Sequence, residues 1–464
     1  MKKRIHHSGG VSILVLILGV TISIIISGLV LTASTLVSNS QRNEAFEKSL
    51  SLAQAGIEYY RWHLAHDQND LTDGTGGPGP YIHTISDPGG NSLGSFSLQI
   101  SPPPEGSRIV TLTSQGWVHN HPEIKRTIVA KFGIPALTKY SFVNNSNMWF
   151  GDKDEIIGPV YSTGGIRMDG THDSTVESAR STYTCGLETG CDPSEEKPGV
   201  WGSGGPQELW RFPSSPIDYD SISLSYTDIK SQAQTNGLYL IPSGSYGYHI
   251  IFDANGTYSV YRITNMRSKE GWSVEGGCED LFQEVRSETF VGTYAIAAKP
   301  VIFAEDYLFV EGTINGKVTA VAAKFPLDTN SMNIWILNNL VYSAKDGSSN
   351  LGLIAQNDII FALDIPNEFE IDGALFAHKG KVIRHNYKEC HNYPHAVRSQ
   401  FILYGSIISN LKSYWSYGQG PGYEGGPTSG FVHRDLIYSP DLYEEPPSFF
   451  PTLTNWDFIS WEEQ

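Results

Sequence analysis

The residues best suited to hold a metal ion lie together in the segment HNYKECHNYPH, residues 385–395. Imidazole and thiolate groups are the ligands that zinc and related metals prefer. The segment offers four of them: His385, Cys390, His391 and His395. Their spacing matches no standard metal site, and the Tyr, Asn and Pro residues between them indicate a polar loop. We therefore expect no metal here, and expect Cys390 to be either free or paired with Cys278.

Two carboxylates flank a glycine turn in MDGTHDS, where Asp169 and Asp173 could bind calcium loosely. The segment lacks the regular carboxylate spacing of a calcium loop. A turn in which aspartate side chains accept hydrogen bonds from backbone amides explains the same residues. We expect the turn.

A short loop, TCGLETGCD, places Cys185 and Cys191 six residues apart. In an extracytoplasmic protein this spacing favours a disulfide that closes the loop, with two free thiols as the alternative. The chain has no C-x-x-C pair of the kind that structural zinc sites use.

No catalytic motif stands out in the chain. It contains no G-x-S-x-G elbow, H-E-x-x-H helix, phosphate-binding P-loop or dinucleotide-binding G-x-G-x-x-G after a strand. We assign no catalytic residue and no cofactor. Exposed aromatic side chains could stack on sugars, although aromatic cover for the ends and loops of a β structure is the simpler interpretation: Trp201, Trp210, Trp272, Tyr414, Trp415 and Tyr417.

Composition narrows the class of protein. At 464 residues the chain has room for two or three domains. Its formal net charge is −17, which disfavours nucleic acid as a partner. Charged residues are only 17% of the chain, whereas it holds 47 glycines and 12% aromatics. This balance favours β structure with glycine turns over a helical enzyme.

The amino terminus carries a membrane segment. Residues 11–33 include no Asp, Glu, Lys, Arg or His, and a helix of that length, about 35 Å, spans a bilayer core. The basic stretch MKKRIHH precedes it, so the positive-inside rule leaves that end in the cytoplasm and residues 40–464 outside. The run is too long for a secretory signal peptide. A plain uncleaved anchor remains an alternative.

The helical pattern continues past the bilayer through QRNEAFEKSLSLAQAGIEYYRWHLAH. Apolar residues recur there at steps of three and four: Phe46, Leu50, Ala53, Ile57, Tyr60 and Leu64. One helix over residues 11–66 is predicted, roughly 80 Å long. Its outer half is amphipathic and must pack on another element.

The leader and helix together carry a family resemblance. A short basic leader, a glycine directly before an apolar helix, and AQAGIEYYRWHL near the end of that helix resemble the class III signal sequence of the type IV pilin superfamily. More narrowly they resemble PilX minor pilins and the K-type pseudopilins of type II secretion. The resemblance implies cleavage by a prepilin peptidase between Gly10 and Val11, with cleavage after Gly9 as the alternative. It also implies membrane lipid and then other pilin or pseudopilin subunits as partners.

The fifth residue of the mature chain departs from most pilins, which have Glu there. It is Val15, or Leu14 if cleavage follows Gly9. A carboxylate at that depth costs a few kcal/mol in lipid unless it has a partner. PilX-like and K-type members commonly lack this Glu, and in this respect the chain resembles a subunit that caps a filament. The absence of Glu at the fifth position argues against a major pilin.

Between the helix and the body we predict a linker and a small domain. After the leader 1–10 and the helix 11–66, residues 67–80 are rich in Gly and Pro and form the linker. Residues 81–135 form a small antiparallel sheet that packs on the outer half of the helix. Its strands are predicted at 96–100, 108–113 and 125–132.

The body, residues 136–464, repeats an apolar-x-Gly-small-apolar pattern around Gly158, Gly312, Gly373 and Gly405. Residues 352–360 also align with 374–382 at a step of 22. These features predict a parallel β-helix, in which each coil buries its inner face against the next. A β-sandwich is the alternative. The repeat is interrupted by an insertion at about 180–295, and the predicted class is α+β.

These interpretations combine into a structural, non-enzymatic protein. We expect a single-pass protein of the inner or cytoplasmic membrane that moves into a cell-surface type IV pilus or a type II secretion-like filament. There it would sit at the tip and serve adhesion, priming or secretion. One alternative is a membrane-tethered β-helix enzyme acting on carbohydrate, which would need a charged cleft. Another is an adhesin that keeps Met1 and never leaves the membrane.

Overall fold

A computed structural model of the chain describes residues 9–104, 106–219, 226–418, 426–453 and 456–464. The α-helices of these residues are α1 Gly9–His66, α2 Tyr226–Thr235 and α3 Asp441–Glu444. The first strands are β1 Tyr81–Ser86, β2 Ser92–Ser101, β3 Ile109–Val118, β4 His121–Gly133, β5 Phe142–Asn144, β6 Met148–Phe150, β7 Asp154–Ile157, β8 Val160–Ser162, β9 Ile166–Met168, β10 Thr171–His172, β11 Val176–Ser178, β12 Thr182–Cys185, β13 Glu195–Pro198, β14 Val200–Trp201 and β15 Trp210–Arg211. The remaining strands are β16 Leu238–Leu240, β17 Tyr248–Asp253, β18 Thr257–Ser273, β19 Gly277–Ala295, β20 Val301–Ala304, β21 Leu308–Ile314, β22 Lys317–Ala322, β23 Ile334–Tyr342, β24 Asn350–Ala355, β25 Ile359–Phe361, β26 Glu368–Ala377, β27 Val382–Ile383, β28 Val397–Ser409, β29 Gly430–Ile437 and β30 Asp457–Glu463. The predicted α+β class, a long N-terminal helix followed by mostly β structure, is confirmed.

The described chain divides into two compact units. The first unit holds the described residues up to Pro102, together with Val110–Phe132 and Ser460–Gln464. The second unit holds the described residues of Pro103–Ile109 and Gly133–Ile459. The division departs from the predicted boundary at 135, because the carboxyl terminus belongs to the first unit.

The first unit is a sheet packed on α1. Strand order is β1-β2-β3-β4-β30, and the β1–β2 and β2–β3 pairs are antiparallel. β2, β3 and β4 overlap the three predicted segments, and β3 begins one residue later than predicted. The sequence did not predict β1 or the C-terminal β30, which lies beside β4.

Four of the six residues predicted to pack are buried: Ala53, Ile57, Tyr60 and Leu64. The other two are not, since Phe46 is 44% exposed and Leu50 is only half-buried. The packed face consists of Ala45, Ser49, Leu52, Ala53, Gly56, Ile57, Tyr60 and Leu64. Gly116 of β3 lies against this face, because a Cβ on it would be 2.3 Å from the Ser49 carbonyl oxygen. The helix backbone rests directly on that glycine, which favours small residues on the facing side of the helix.

The second unit is built from parallel strands. One ladder pairs ten of them in the order β16-β20-β22-β24-β26-β28-β5-β8-β11-β15, and every pair is parallel. A second ladder runs β17-β21-β23-β26-β28-β29-β7-β10, also parallel throughout. The short strands β6, β9 and β14 form a third.

The order of strands in the ladders differs from their order in the chain. The chain enters the first ladder at β5, in the interior of the row, and proceeds through β8 and β11 to β15 at one end. It next contributes β16, at the opposite end. From there it returns strand by strand to β28, which pairs with β5. The first and last strands of this passage are therefore neighbours.

A single apolar row runs through the first ladder. Its register partners are Leu238, Ile302, Ala320, Leu353, Leu375, Ile407, Phe142, Val160, Val176 and Trp210. These side chains belong to or pack against one core, and full burial of such a side chain contributes about 1.5–3 kcal/mol. The predicted 22-residue step is the observed register over residues 352–355, since Gly352 pairs with Ala374, whereas Ile359 pairs with Val382 at a step of 23. We keep the parallel β-helix as an interpretation of this unit.

Glycines lie where the backbone of one coil approaches the next. A Cβ on Gly312 would fall 2.1 Å from the Phe252 carbonyl oxygen, and its φ of +115° also favours glycine. Gly373 and Gly405 are register partners in β26 and β28. The repeated glycine of the sequence therefore marks close contacts between strands.

The insertion predicted at 180–295 is smaller in the structure. Strands β16 and β17, within that range, pair in parallel with β20 and β21 and belong to the ladders. The helix α2 packs Tyr226, Ile229 and Ala233 against Val301 and Phe303 of β20. What projects from the ladders is mainly the antiparallel hairpin β18–β19. Because this hairpin is long and antiparallel, it interrupts the repeat in the sequence, and the parallel strands β16 and β17 before it were not recognised as part of the repeat.

A disulfide fixes the far end of the β18–β19 hairpin. Cys278 at the start of β19 is bonded to Cys390. Beside it, Trp272 and Asn386 exchange two backbone hydrogen bonds of 3.0 and 2.9 Å. Phe282 of the hairpin packs in the same cluster as Trp335 and Ile360 of the ladder. The hairpin therefore covers an outer face of the stacked strands.

At the base of the hairpin, a buried histidine lies between two carboxylates. His249 Nδ1 is 3.0 Å from Glu288, and Nε2 is 3.1 Å from Glu311. Burial alone would lower the pKa of His249, but the hydrogen bonds to both carboxylates outweigh it and raise that pKa. The hydrogen bond from His249 lowers the pKa of Glu311. The doubly protonated ring can donate to both carboxylates at once.

The stabilisation by this triad depends on pH in two directions. Because the pKa of His249 is raised on folding, its charged ring stabilises the fold fully below the ordinary histidine pKa of about 6.5, and this stabilisation is lost as pH rises through the pKa of His249 in the folded protein. Because the pKa of Glu311 is lowered on folding, its carboxylate stabilises the fold above the ordinary glutamate pKa of about 4.3, and this stabilisation is lost as pH falls through the pKa of Glu311 in the folded protein. We expect His249→Gln to lower the free energy of unfolding at pH 6 by about 1–3 kcal/mol. Urea titrations at pH 6, 7.5 and 9 measure it.

The difference between wild type and His249→Gln should narrow as pH rises to 9, because the wild-type ring then loses its charge. His66→Gln, at an exposed histidine of α1, serves as the matched control. A difference that stays constant across this pH range would contradict the triad.

Candidate functional site: the N-terminal helix

The candidate functional element is the 58-residue helix α1. Its segment has no proline, and the first charged residue after position 10 is Arg42. At about 1.5 Å per residue the helix extends roughly 87 Å. It ends where the Gly- and Pro-rich segment 67–80 begins, as the sequence predicts.

The amino-terminal half of α1 buries nothing within the described chain. Every residue from position 10 to 44 is exposed, including Leu16 at 68% and Leu31 at 70%. The most apolar window has a mean hydropathy of 2.9, and its length and composition are sufficient to cross a membrane. So much apolar surface on one element is stable only against lipid or another apolar surface.

The hydroxyl groups of this half are suited to an apolar surrounding. Four of them donate back to backbone carbonyls one turn earlier, at 2.6 to 3.0 Å: Thr21 to Ile17, Ser27 to Ser23, Thr32 to Gly28 and Thr35 to Leu31. In lipid a polar group needs such an internal partner, because no water is available. Hydroxyls therefore do not prevent insertion of the segment.

The predicted processing residues lie at the start of the helix. Gly9 and Gly10 open α1, and Gly10 has open space where a side chain would be. Val11, Leu14 and Val15 are 63 to 68% exposed. The basic part of the predicted leader, residues 1–8, lies outside the described residues. No tertiary contact of the described chain covers the Gly10–Val11 bond.

The other half of α1 is fixed to the first unit. Besides Gly116, Gly56 of the helix lies against β2 and β3, since a Cβ there would be 2.2 Å from the Ser114 hydroxyl and 2.8 Å from the Phe96 ring. Ser49 Oγ donates to the Ile124 carbonyl at 3.0 Å. The helix is thus rigidly mounted at one end and uncovered at the other.

Two aspartates of the predicted linker hold the last turns of α1. Asp70 lies 2.7 Å from His63, and Asp73 accepts a hydrogen bond of 3.0 Å from the Tyr59 hydroxyl. Hydrogen bonds from Thr72 hold the pKa of Asp70 well below its usual range. The sequence analysis missed these residues. Their only signal was an Asp-x-x-Asp-Gly turn directly after the helix.

The candidate metal ligands do not form a site. Cys390 forms a disulfide with Cys278, so it has no free thiolate to bind a metal. His391 lies 2.7 Å from Glu270, whereas His395 lies 3.3 Å from Asp364. His385 is buried, and burial lowers its pKa to about 3. Among the described residues no group of three or more His, Cys, Asp or Glu side chains could hold a metal ion.

The aspartates of MDGTHDS serve structure. Asp173 accepts a hydrogen bond of 2.8 Å from the Gly158 amide, the role expected of a turn aspartate. Asp169 pairs with Arg167 at 2.7 Å and also accepts from the Trp149 indole at 3.0 Å. Cys185 and Cys191 form a disulfide.

The aromatic residues are mostly packed. Trp415 is buried in the main core, and Trp210 closes the apolar row at β15 while its indole donates to His172 at 2.9 Å. Trp272 packs edge-on against Tyr417. Tyr414 donates a hydrogen bond to Glu275, and Trp201 donates to Tyr183. These contacts agree with cover for loops and ladder ends.

No protein-family model matches the chain, and no curated protein matches it. Among solved structures it is similar to the competence-associated pilin ComZ from Thermus thermophilus. That similarity has 14% sequence identity and a TM-score of 0.32, and covers 90% of this chain and 97% of the other. A TM-score at this level carries no conclusion about fold or function.

Proposed function

We propose that the chain is a membrane-inserted subunit of a type IV pilin-like filament. The observation that supports this most is the two-part helix α1. Its apolar half is uncovered and uncharged through Gln41, and its other half is mounted on a compact sheet. Such a helix can pass from lipid to a bundle of identical or related helices without exposing its apolar surface to water.

The leader supports the more specific proposal of processing. A prepilin peptidase removes residues 1–10 and leaves Val11 as the new amino terminus, which the family resemblance further implies to be N-methylated. The second unit then lies outside the cytoplasm, and the two disulfides fit an oxidising compartment.

Position five supports a minor rather than a major subunit. Val15 cannot supply the carboxylate that most pilins place there, so the chain would be poorly suited to repeat along a filament. We propose a PilX-like or K-type role at the tip, where the β-rich second unit is displayed for adhesion, priming or secretion. Quantitative mass spectrometry of purified filaments should find a few copies for each filament. A copy number that scales with filament length would contradict a tip position.

Processing gives the decisive experiment. In cells that contain a prepilin peptidase, intact-mass and amino-terminal peptide analysis should show a mature chain beginning at Val11. Gly10→Val should retain the full leader, with processing reduced at least about a hundredfold, a loss of transition-state stabilisation near 3 kcal/mol. Gly19→Ala is the matched control, because Gly19 also lies in open space on α1.

Two results would overturn the proposal. An intact Met1 on wild-type chains in such cells would support a permanent anchor. Normal maturation of Gly10→Val would show that this glycine does not define the cleavage site.

A further inference from the structure

The second unit contains a cleft that neither the filament role nor the packing of the ladders explains. Its volume is about 900 Å³. One wall crosses three consecutive corners of the stacked strands, at residues 145–147 after β5, 163–164 after β8 and 179–180 after β11. Neighbouring strands are about 4.8 Å apart, so this wall is an extended and regular surface. Residues 182–184 of β12 and residues 216–219 complete the lining.

The amide side chains of the first wall are held in place. Asn145 donates to Asn410 at 2.9 Å and accepts from the Thr163 hydroxyl at 2.6 Å. Asn147 accepts from the Gly165 amide at 2.9 Å and donates to Glu188 at 3.2 Å. These residues keep fixed orientations without any ligand.

The part of the lining formed by β12 is also supported. The disulfide between Cys185 and Cys191 closes the loop that follows β12. Behind that loop the Arg167 guanidinium lies 4.4 Å from the Trp149 ring and 4.9 Å from the Trp201 ring. Arg167 also donates to the Thr189 carbonyl at 3.2 Å. A cleft with two supported walls loses little conformational entropy when a ligand binds.

The cleft offers hydrogen-bonding groups and few apolar ones. Arg180 is exposed and donates from Nε to the Thr163 carbonyl at 3.2 Å, and no carboxylate of the described residues pairs with its terminal nitrogens. Thr182 and Thr184 are exposed at the other wall. Tyr219 is part of the lining, but its hydroxyl is shielded from solvent, and the residue packs against a neighbouring core.

This chemistry selects among ligand classes. A lipid chain would find too little apolar surface, and among the described lining residues a nucleic acid would meet a single arginine in a protein of net charge −17. Asp218 is the one carboxylate among the described residues of the lining, so these residues hold no carboxylate pair for glycoside hydrolysis. Amides, hydroxyls and a guanidinium are the groups that hydrogen-bond a ligand dense in hydroxyls.

We propose that this cleft binds a saccharide, held by the fixed amides of Asn145 and Asn147 together with Arg180 on the wall formed by the strand corners, and by Thr184 of β12. The inference goes beyond the filament role and does not depend on it, because the cleft lies within the second unit. A failure of leader processing would leave it intact.

Isothermal titration calorimetry on the full chain in detergent micelles tests the proposal. Four saccharides that represent different classes of natural glycan are tested as ligands: cellotetraose, chitotetraose, tetragalacturonate and 3′-sialyllactose. At least one should bind with a dissociation constant below about 1 mM. Arg180→Ala should weaken that binding about tenfold or more, since a hydrogen bond from a charged donor is lost. Thr184→Val should weaken it several-fold.

Arg286→Ala is the matched control, an arginine of the β18–β19 hairpin that pairs with Glu284 at 3.0 Å. It should bind as wild type does. Thermal melts of each variant check that the fold is kept. Failure of all four saccharides to bind, or equal binding by Arg180→Ala, would overturn the proposal. So would binding of a tetra-alanine peptide without binding of any saccharide.

Discussion

Replacing Gly405 by alanine is expected to lower the free energy of unfolding of the second unit by about 3 kcal/mol. A Cβ on Gly405 would lie 1.8 Å from the Gly373 carbonyl oxygen and 2.7 Å from the Gly373 carbonyl carbon. Both atoms are backbone in the register partner, so no side-chain rotation can relieve the clash. The strands β26 and β28 would have to separate. Urea unfolding followed by near-UV circular dichroism measures the loss.

Gly151→Ala provides the control for this prediction. The nearest atoms to a Cβ on Gly151 are 3.8 Å away, an ordinary contact distance. We expect Gly151→Ala to change the free energy of unfolding by no more than about 0.5 kcal/mol. If Gly405→Ala were as stable as Gly151→Ala, β26 and β28 could not be as closely stacked as described.

Replacing Asp154 by alanine is expected to cost about 3–5 kcal/mol, because it leaves a buried guanidinium without its carboxylate. Asp154 of β7 and Arg434 of β29 are register partners and form a hydrogen-bonded ion pair. Both are less than 10% exposed. Asp154 also accepts from the Gly151 amide at 2.6 Å, so the substitution leaves two donors unsatisfied. Thermal and urea unfolding of the full chain measure the change.

The double variant Asp154→Leu with Arg434→Met separates burial of a charge from loss of packing. Replacing both members of a buried ion pair by apolar residues is often neutral. The double variant should therefore recover most of the stability lost in Asp154→Ala. Equal losses in both proteins would show that shape, and not the unpaired charge, governs this contact.

Local patterns in the sequence were sufficient for the helix and for three strands of the first unit. An uncharged run, followed by apolar residues that recur every three or four positions, predicted both ends of α1 to within two residues. The alignment of 352–360 with 374–382 gave the register at Gly352. Both signals are periodic and involve residues close in the chain, which is where sequence patterns are strongest.

Interactions between distant residues explain what the sequence did not predict. Phe46 was expected to be buried by its spacing but is 44% exposed, whereas α1 packs closely on Gly116, about seventy residues further along the chain. Strand β30 finds its place beside β4 from more than 320 residues further along the chain. The bond between Cys278 and Cys390 was one of two alternatives left open by the sequence, because its partners are 112 residues apart. No local propensity encodes such pairings.

The same limit applied to the candidate sites. The saccharide cleft takes residues from three separate corners, none with a motif of its own. Asp70 and Asp73 carried only a weak turn signal, although they hold the end of α1.

The order of strands in the first ladder has a mechanical consequence. β5 and β28 are neighbours in the interior of the row, and the outer strands β15 and β16 are both formed by internal segments of the chain. Peeling one strand at a time from an outer edge would need a loose terminus at that edge. The arrangement therefore protects both edges of the ladder from fraying.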